Sequence, residues 1–146
     1  MIKRILFDEC ISQNKLFETG VADLAMAREL FNLAQHRELF WKSISTKSTQ
    51  FPTLFLEGYY EIIKELCTEI LAAEGWKALN HECLFTYLKA TKNDLEINFD
   101  YLLELKDTRN AIDYRGAMAS PLLWKQNELQ IMLIIKCLKE YLHSKI

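Results

Sequence analysis

Only four glycines and two prolines interrupt this chain of 146 residues, too few turn formers for the many short strands of an all-β fold. The scarcity predicts long helices with few breaks, and the apolar residues recur at the matching period. Val21, Leu24, Ala27, Leu30, Phe31 and Ala34, followed by Phe40, Trp41 and Ile44, predict an amphipathic helix over 21–44. The polar run Ser43 to Gln50 competes with helix through its hydroxyls and reads as the first loop. Pro52 suits an early helical position, and Phe55, Tyr59, Ile62, Ile63, Leu66, Ile70 and Ala73 carry a second long helix toward Gly75. Gly58 lies inside it at a helix-propensity cost of about 1 kcal/mol against alanine, which predicts a close helix crossing there.

Asn80 reads as the N-cap of a shorter helix bearing Cys83, Leu84, Tyr87 and Leu88, broken at Asn93 and Asp94. Asp94 is expected to cap a helix from Leu95 to about Tyr114 that stops near Gly116. Ser120-Pro121 opens the last helix, Leu122 to about His143, which is apolar nearly all round between Leu129 and Leu142 and is expected to be central or at a subunit interface. Residues 1–20 hold at most a helical turn or two around Cys10 to Phe17, ending at Gly20. The expected fold is therefore all-α, a single domain over 1–146: an antiparallel helical bundle of four long helices plus one or two short ones.

Eighteen basic and twenty acidic side chains are well mixed, so no global positive field draws the protein to nucleic acid, and any RNA contact is local. Met1 to Phe7 lacks a secretory apolar run, and the longest apolar stretch, Ile131 to Ile135, is far short of the about 20 residues that span a bilayer. The expectation is a cytoplasmic protein with no membrane partner. Cys10, Cys67, Cys83 and Cys137 show no Cys-x-x-Cys pair, and His81 with Cys83 supplies too few ligands to close a site. All four cysteines are expected to be reduced thiols, with no metal and no cofactor.

On a helical wheel of 95–115, Leu95, Phe99, Leu102, Leu103, Leu105 and Ile112 fill one broad arc, and Arg109 falls in its middle. Asp100, Glu104, Asp107 and Thr108 occupy the opposite side, so an outward place existed for the guanidinium. Burying it costs several kcal/mol unless it is paired. Asp113, one turn on, is the nearest partner, and an Arg109–Asp113 pair that fixes helix packing accounts for the pattern. Arg109 lining a groove or subunit interface and meeting a phosphate with its planar fork accounts for it equally. Periodicity does not choose between the two.

The stretch Thr108-Arg109-Asn110-Ala111-Ile112-Asp113-Tyr114-Arg115-Gly116 resembles the Arg-Asn signature of HEPN proteins (higher eukaryotes and prokaryotes nucleotide-binding). The similarity extends to Leu56-Glu57-Gly58-Tyr59-Tyr60-Glu61-Ile62-Ile63-Lys64-Glu65-Leu66, to Gly75-Trp76-Lys77 and to His81-Glu82-Cys83-Leu84, and covers about 21–143. The resemblance implies a helical bundle that dimerises with the Arg motifs of two subunits facing across a cleft. Many such proteins are metal-independent ribonucleases, often toxins or defence proteins, and others pair with a small nucleotidyltransferase. Their nuclease motif is Arg, four to six residues, then His. Here four residues separate Arg109 from Tyr114. Histidine exchanges protons near neutral pH, whereas tyrosine, with an ordinary pKa of about 10, is a poor base. The departure favours nucleotide or RNA contact through Arg109 over turnover.

Candidate catalytic residues on this reading are Arg109, Tyr114 and His81, the last as general acid or base if the bundle folds it toward Arg109, and otherwise an ordinary polar residue at a helix start. Candidate ligand-binding residues are Arg109, Asn110, Asp113, Arg115 and Lys77. Tyr59, Tyr60 and Tyr87 read as packing residues, although aromatic rings also stack bases. Three functions follow: a HEPN-like homodimer binding RNA or a nucleotide, an active metal-independent ribonuclease, and an interaction module whose last helix docks a partner such as a nucleotidyltransferase.

Overall fold

The structure is a computed structural model and describes residues 3–146; the sequence reading of the first seven residues includes Met1 and Ile2, which lie outside the described residues. The described residues form six α-helices: α1 (Phe7–Ser12), α2 (Leu24–Ser43), α3 (Pro52–Glu74), α4 (His81–Thr91), α5 (Phe99–Arg115) and α6 (Pro121–His143). The chain is 72% helical, the all-α fold expected, with four long helices and two short ones. No helix among the described residues is long and apolar enough to cross a membrane.

Most helix ends carry the chemistry read from the sequence. Asn80 accepts the Cys83 N–H at the start of α4 and Ser120 that of Leu123 in α6, whereas α2 begins at Leu24 rather than Val21, capped by Asp23, which accepts the Met26 N–H. Gly75 and Gly116 end α3 and α5 in the left-handed region, at φ 76° and 65°, which a side chain would disfavour. The start of α5 differs from expectation. Asp94 does not cap it; Asn98 does, accepting the Tyr101 N–H, and the helix begins a turn late at Phe99. Residues 95–97 instead make tight local turns, Leu95 to Lys92 and Ile97 to Leu95, which let Ile97 reach the core.

Helix α3 is the axis of the molecule. It packs on α2, α4, α5 and α6, and thirteen of its residues are buried, among them Phe55, Tyr59, Tyr60, Leu66 and Ile70. Of the two places expected for the last helix, the central one is taken by α3. Helix α6 buries Trp124, Ile131, Ile134, Ile135, Leu138 and Leu142 on one side and leaves Leu122, Leu129 and Leu133 exposed on the other. Trp124 stacks on Tyr59, and Tyr141 donates to Glu74, so α6 runs parallel to α3. Helix α2 runs antiparallel to both, with Arg37 on Glu65 and Lys139 on Glu38.

The crossing expected at Gly58 is present. A Cβ there would land inside the Trp41 indole, on Cε2, Cζ2 and Nε1, and that indole packs edge-on against Phe55. Gly58→Ala should destabilise the protein by about 1–3 kcal/mol in urea unfolding, despite alanine's higher helix propensity, because the indole must give up its present packing on Phe55 and Tyr59. The same substitution in a Trp41→Leu background should be neutral or stabilising.

The N-terminal segment is more structured than its composition foretold. The short helical turn expected around Cys10 is α1, which begins earlier, at Phe7, and ends at Ser12; β1 (Leu16–Glu18) then pairs antiparallel with β2 (Trp76–Ala78), Phe17 opposite Lys77. Leu16 is fully buried, and Arg4 and the Ile5 N–H reach Asp107 and Glu82 at 2.8 and 2.9 Å. The expectation of four free thiols is corrected for two of them. Cys10 and Cys83 form a disulfide across 73 residues of sequence, a pairing that spacing could not show, while Cys67 and Cys137 are free. Loop closure on that scale predicts that the Cys10→Ser, Cys83→Ser double variant loses about 2–4 kcal/mol in denaturant unfolding. Adding reductant should lower the wild type by the same amount and leave the variant unchanged.

Candidate functional site

The second half of α5 leans across α3 beside the first turn of α4. Arg109 is half-buried, its side chain 23% exposed, and its Nη1 meets an Asp113 carboxylate oxygen at 2.9 Å. The guanidinium also stands 5.7 Å from the centre of the Tyr60 ring, close enough for cation–π attraction. Tyr60 comes from α3 and is wholly buried, so it forms a fixed apolar floor beneath the charge. The Arg109–Asp113 ion pair that the sequence offered is present, and Arg109 also borders open space.

It lines two concavities. One, of about 430 Å³, is bordered by His81 and Glu82 of α4, Lys64 of α3, and Lys106, Asn110 and Tyr114 of α5. The other, of about 350 Å³, is bordered by Trp41, Glu57, Gly58 and Glu61, with Arg37 at its edge. Guanidinium has five donors, and Asp113 occupies one edge of the fork, so donors remain for an anion in either space.

The first concavity collects three cations, and each already has a carboxylate beside it. Lys64 lies 2.6 Å from Glu61, and the buried Lys106 lies 3.4 Å from Glu82 and 3.3 Å from Asp107. An entering phosphate would share these cations with their carboxylates. Asp113 also crowds Glu57. Burial raises the Glu57 carboxyl above its ordinary range, the hydrogen bond and charge of Asp113 raise it further, and Arg109 opposes both.

His81 Nδ1 lies 2.8 Å from the Tyr60 hydroxyl. Burial pushes the Tyr60 phenol well above its ordinary pKa, so it keeps its proton. That hydroxyl has no other partner among the described residues, and the imidazole tautomer sets which of the two atoms donates. Burial lowers the His81 pKa, and Lys64, Arg109 and Lys106 lower it further against Glu61. At neutral pH the side chain is uncharged on the cleft wall.

Of the residues singled out from sequence, Arg109, Asn110, Tyr114 and His81 share this cleft, and Asp113 adjoins it through the ion pair. Tyr114 is 80% exposed at the rim. Arg115 is exposed in the last turn of α5 and lines neither concavity. Lys77 is not brought there: it sits on β2 and lines a separate cavity against α2 and α3. Sequence reasoning passed over Lys106. Its signal was present, since Lys106, Arg109, Asn110 and Asp113 follow one stripe of three- and four-residue steps. Lys64 and Glu82 carried no such signal, because tertiary packing alone brings α3 and α4 to this place. No group of three or more His, Cys, Asp or Glu among the described residues could hold a metal ion.

No family model, no curated protein and no solved structure matches this chain.

The electrostatics of His81 are open to direct measurement. Followed by NMR, its imidazole should titrate below the ordinary 6.5, and Arg109→Ala should move the midpoint upward by removing a nearby positive charge. Because the folded-state value is depressed, His81 contributes stability that is present above about pH 6.5 and lost as pH falls through the folded-state midpoint. A midpoint at or above 6.5 in the wild type would contradict this geometry.

Proposed function

We propose that this chain is a HEPN-like, homodimeric nucleotide- or RNA-binding protein whose ribonuclease motif is degenerate, of the kind found in toxin–antitoxin or defence systems. The observation that supports it best is the setting of Arg109. Its guanidinium is held over the Tyr60 ring and by Asp113 at the junction of two concavities, with Lys64, Lys106, Asn110 and His81 beside it. A phosphate meets planar donors there, two further cations and a neutral imidazole. The exposed Leu122, Leu129 and Leu133 of α6 favour a second subunit as their cover.

Contact is favoured over cleavage by proton chemistry. The motif position is Tyr114, whose ordinary pKa of about 10 makes it a poor base, and His81 already has its Nδ1 engaged by the Tyr60 hydroxyl. In an active ribonuclease, the runner-up reading, Arg109 would stabilise the phosphorane charge while His81 or Tyr114 moved protons. The exposed leucines of α6 also suit the third reading, an interaction module with a small nucleotidyltransferase as partner.

Fluorescence anisotropy with a labelled single-stranded RNA at low salt tests the proposal. Arg109→Ala should weaken binding at least about tenfold while the helical circular dichroism stays intact. Equal affinity in the folded variant rejects the site. Incubating wild type with the same RNA in excess chelator between about pH 5 and 9, the range over which histidine changes charge, should leave the RNA whole. Cleavage that Arg109→Ala abolishes would instead establish the runner-up.

A further inference from the structure

A cavity larger than either of those beside Arg109 lies elsewhere in the molecule. It has a volume of about 610 Å³ and opens between the segment 19–26, the second half of α3, β2 and α4. Its size is within the about 300–1,000 Å³ of small-molecule sites. The hollow has a local cause. Ala22, Ala72 and Ala78 present only methyl groups where α2, α3 and β2 converge, so neighbouring backbones hold apart a space that no side chain fills. Leu71 and Leu84 are buried beneath it, and Val21 and Met26 stand exposed at its border.

Its polar groups are few, and most are already used. The Thr19 hydroxyl donates to the Val21 carbonyl, the Thr68 hydroxyl to the Lys64 carbonyl, and Asp23 accepts the Met26 N–H. The neighbouring Thr19 and Asp23 N–H groups donate to the Gly75 and Ala72 carbonyls. Lys77 is the exception: it is exposed at the cavity edge and forms no ion pair among the described residues.

We propose that this cavity is a binding site for a free amphipathic monoanion, a medium-chain carboxylate, whose chain lies between the β1–β2 pair and α2–α3 and whose head group meets Lys77. An apolar chain removes the Leu71, Ala72 and Met26 surfaces from water, and one anionic head satisfies the one unengaged cation. Met26 and Val21 at the mouth adapt to the chain, methionine through its flexible thioether.

Decanoate and decan-1-ol, titrated calorimetrically into the folded, disulfide-intact protein, test the proposal. Decanoate should bind and raise the thermal midpoint, and decanol should bind more weakly. Lys77→Gln should weaken decanoate about tenfold and leave decanol unchanged, since only the head-group contact is lost. Thr68→Trp, at an exposed position of α3, should fill the space and abolish both. Met26→Glu, at an exposed position of α2, should weaken decanoate more than decanol by placing a like charge at the mouth, and serves if the tryptophan variant does not fold. Absence of decanoate binding to wild type, or undiminished decanoate binding in a folded Thr68→Trp or Met26→Glu variant, overturns the site. Equal decanoate affinity in wild type and Lys77→Gln overturns the assigned head group.

Discussion

Burial of α3 on nearly every side is the constraint from which the rest of the architecture follows. A helix with so many inward faces cannot exist alone in water, and α2, α4, α5 and α6 each cover one of them. The burial extends to groups that resist it. Glu69 is fully buried with neither carboxylate oxygen hydrogen-bonded, and burial together with the charge of Glu65 pushes its pKa up to about 8. It therefore sits in the core as a neutral acid at pH 7, which removes most of the desolvation penalty. At the C-terminal end of the helix the opposite solution operates: Glu74 accepts hydrogen bonds from Tyr87, Lys92 and Tyr141 and ties α3 to α4 and α6.

The candidate site is a consequence of that packing. Tyr60 belongs to the core of α3, yet its ring supports Arg109 and its hydroxyl orients His81. One buried residue thus couples the orientation of a histidine on α4 to the placement of a guanidinium on α5. The disulfide bears on the same region. Cys83 is two residues from His81, and through Cys10 the N-terminal segment is fastened over the first turn of α4, where Ile5 also bonds Glu82. A change in that fastening would be felt at the cleft wall before it reached the rest of the core.

Legibility from sequence varied with the range of the interaction. Helix starts at Asn80 and Ser120 and the stop at Gly75 were readable because a cap is decided by residues three or four apart. The late start of α5 was not, since Asp94 and Asn98 are both competent caps, and burial of Ile97 selects the second. The close approach at Gly58 was legible as a cost without local benefit; that its partner is the Trp41 indole was not. Arg109 among leucines announced an inward charge, and Asp113 one turn away announced its partner.

Local periodicity and capping chemistry by themselves determined the all-α class, four long helices, their approximate limits and the inward face that carries Arg109, because each depends on neighbours within a turn or two. Tertiary structure alone decided that α3 is the axis and that His81, Lys64 and Lys106 converge on Arg109 while Lys77 does not. It also decided that Cys10 reaches Cys83 and that a three-residue strand pairs across the chain. These depend on which apolar faces pack together, a choice made by the summed burial of the whole chain, and no local window of residues contains that sum.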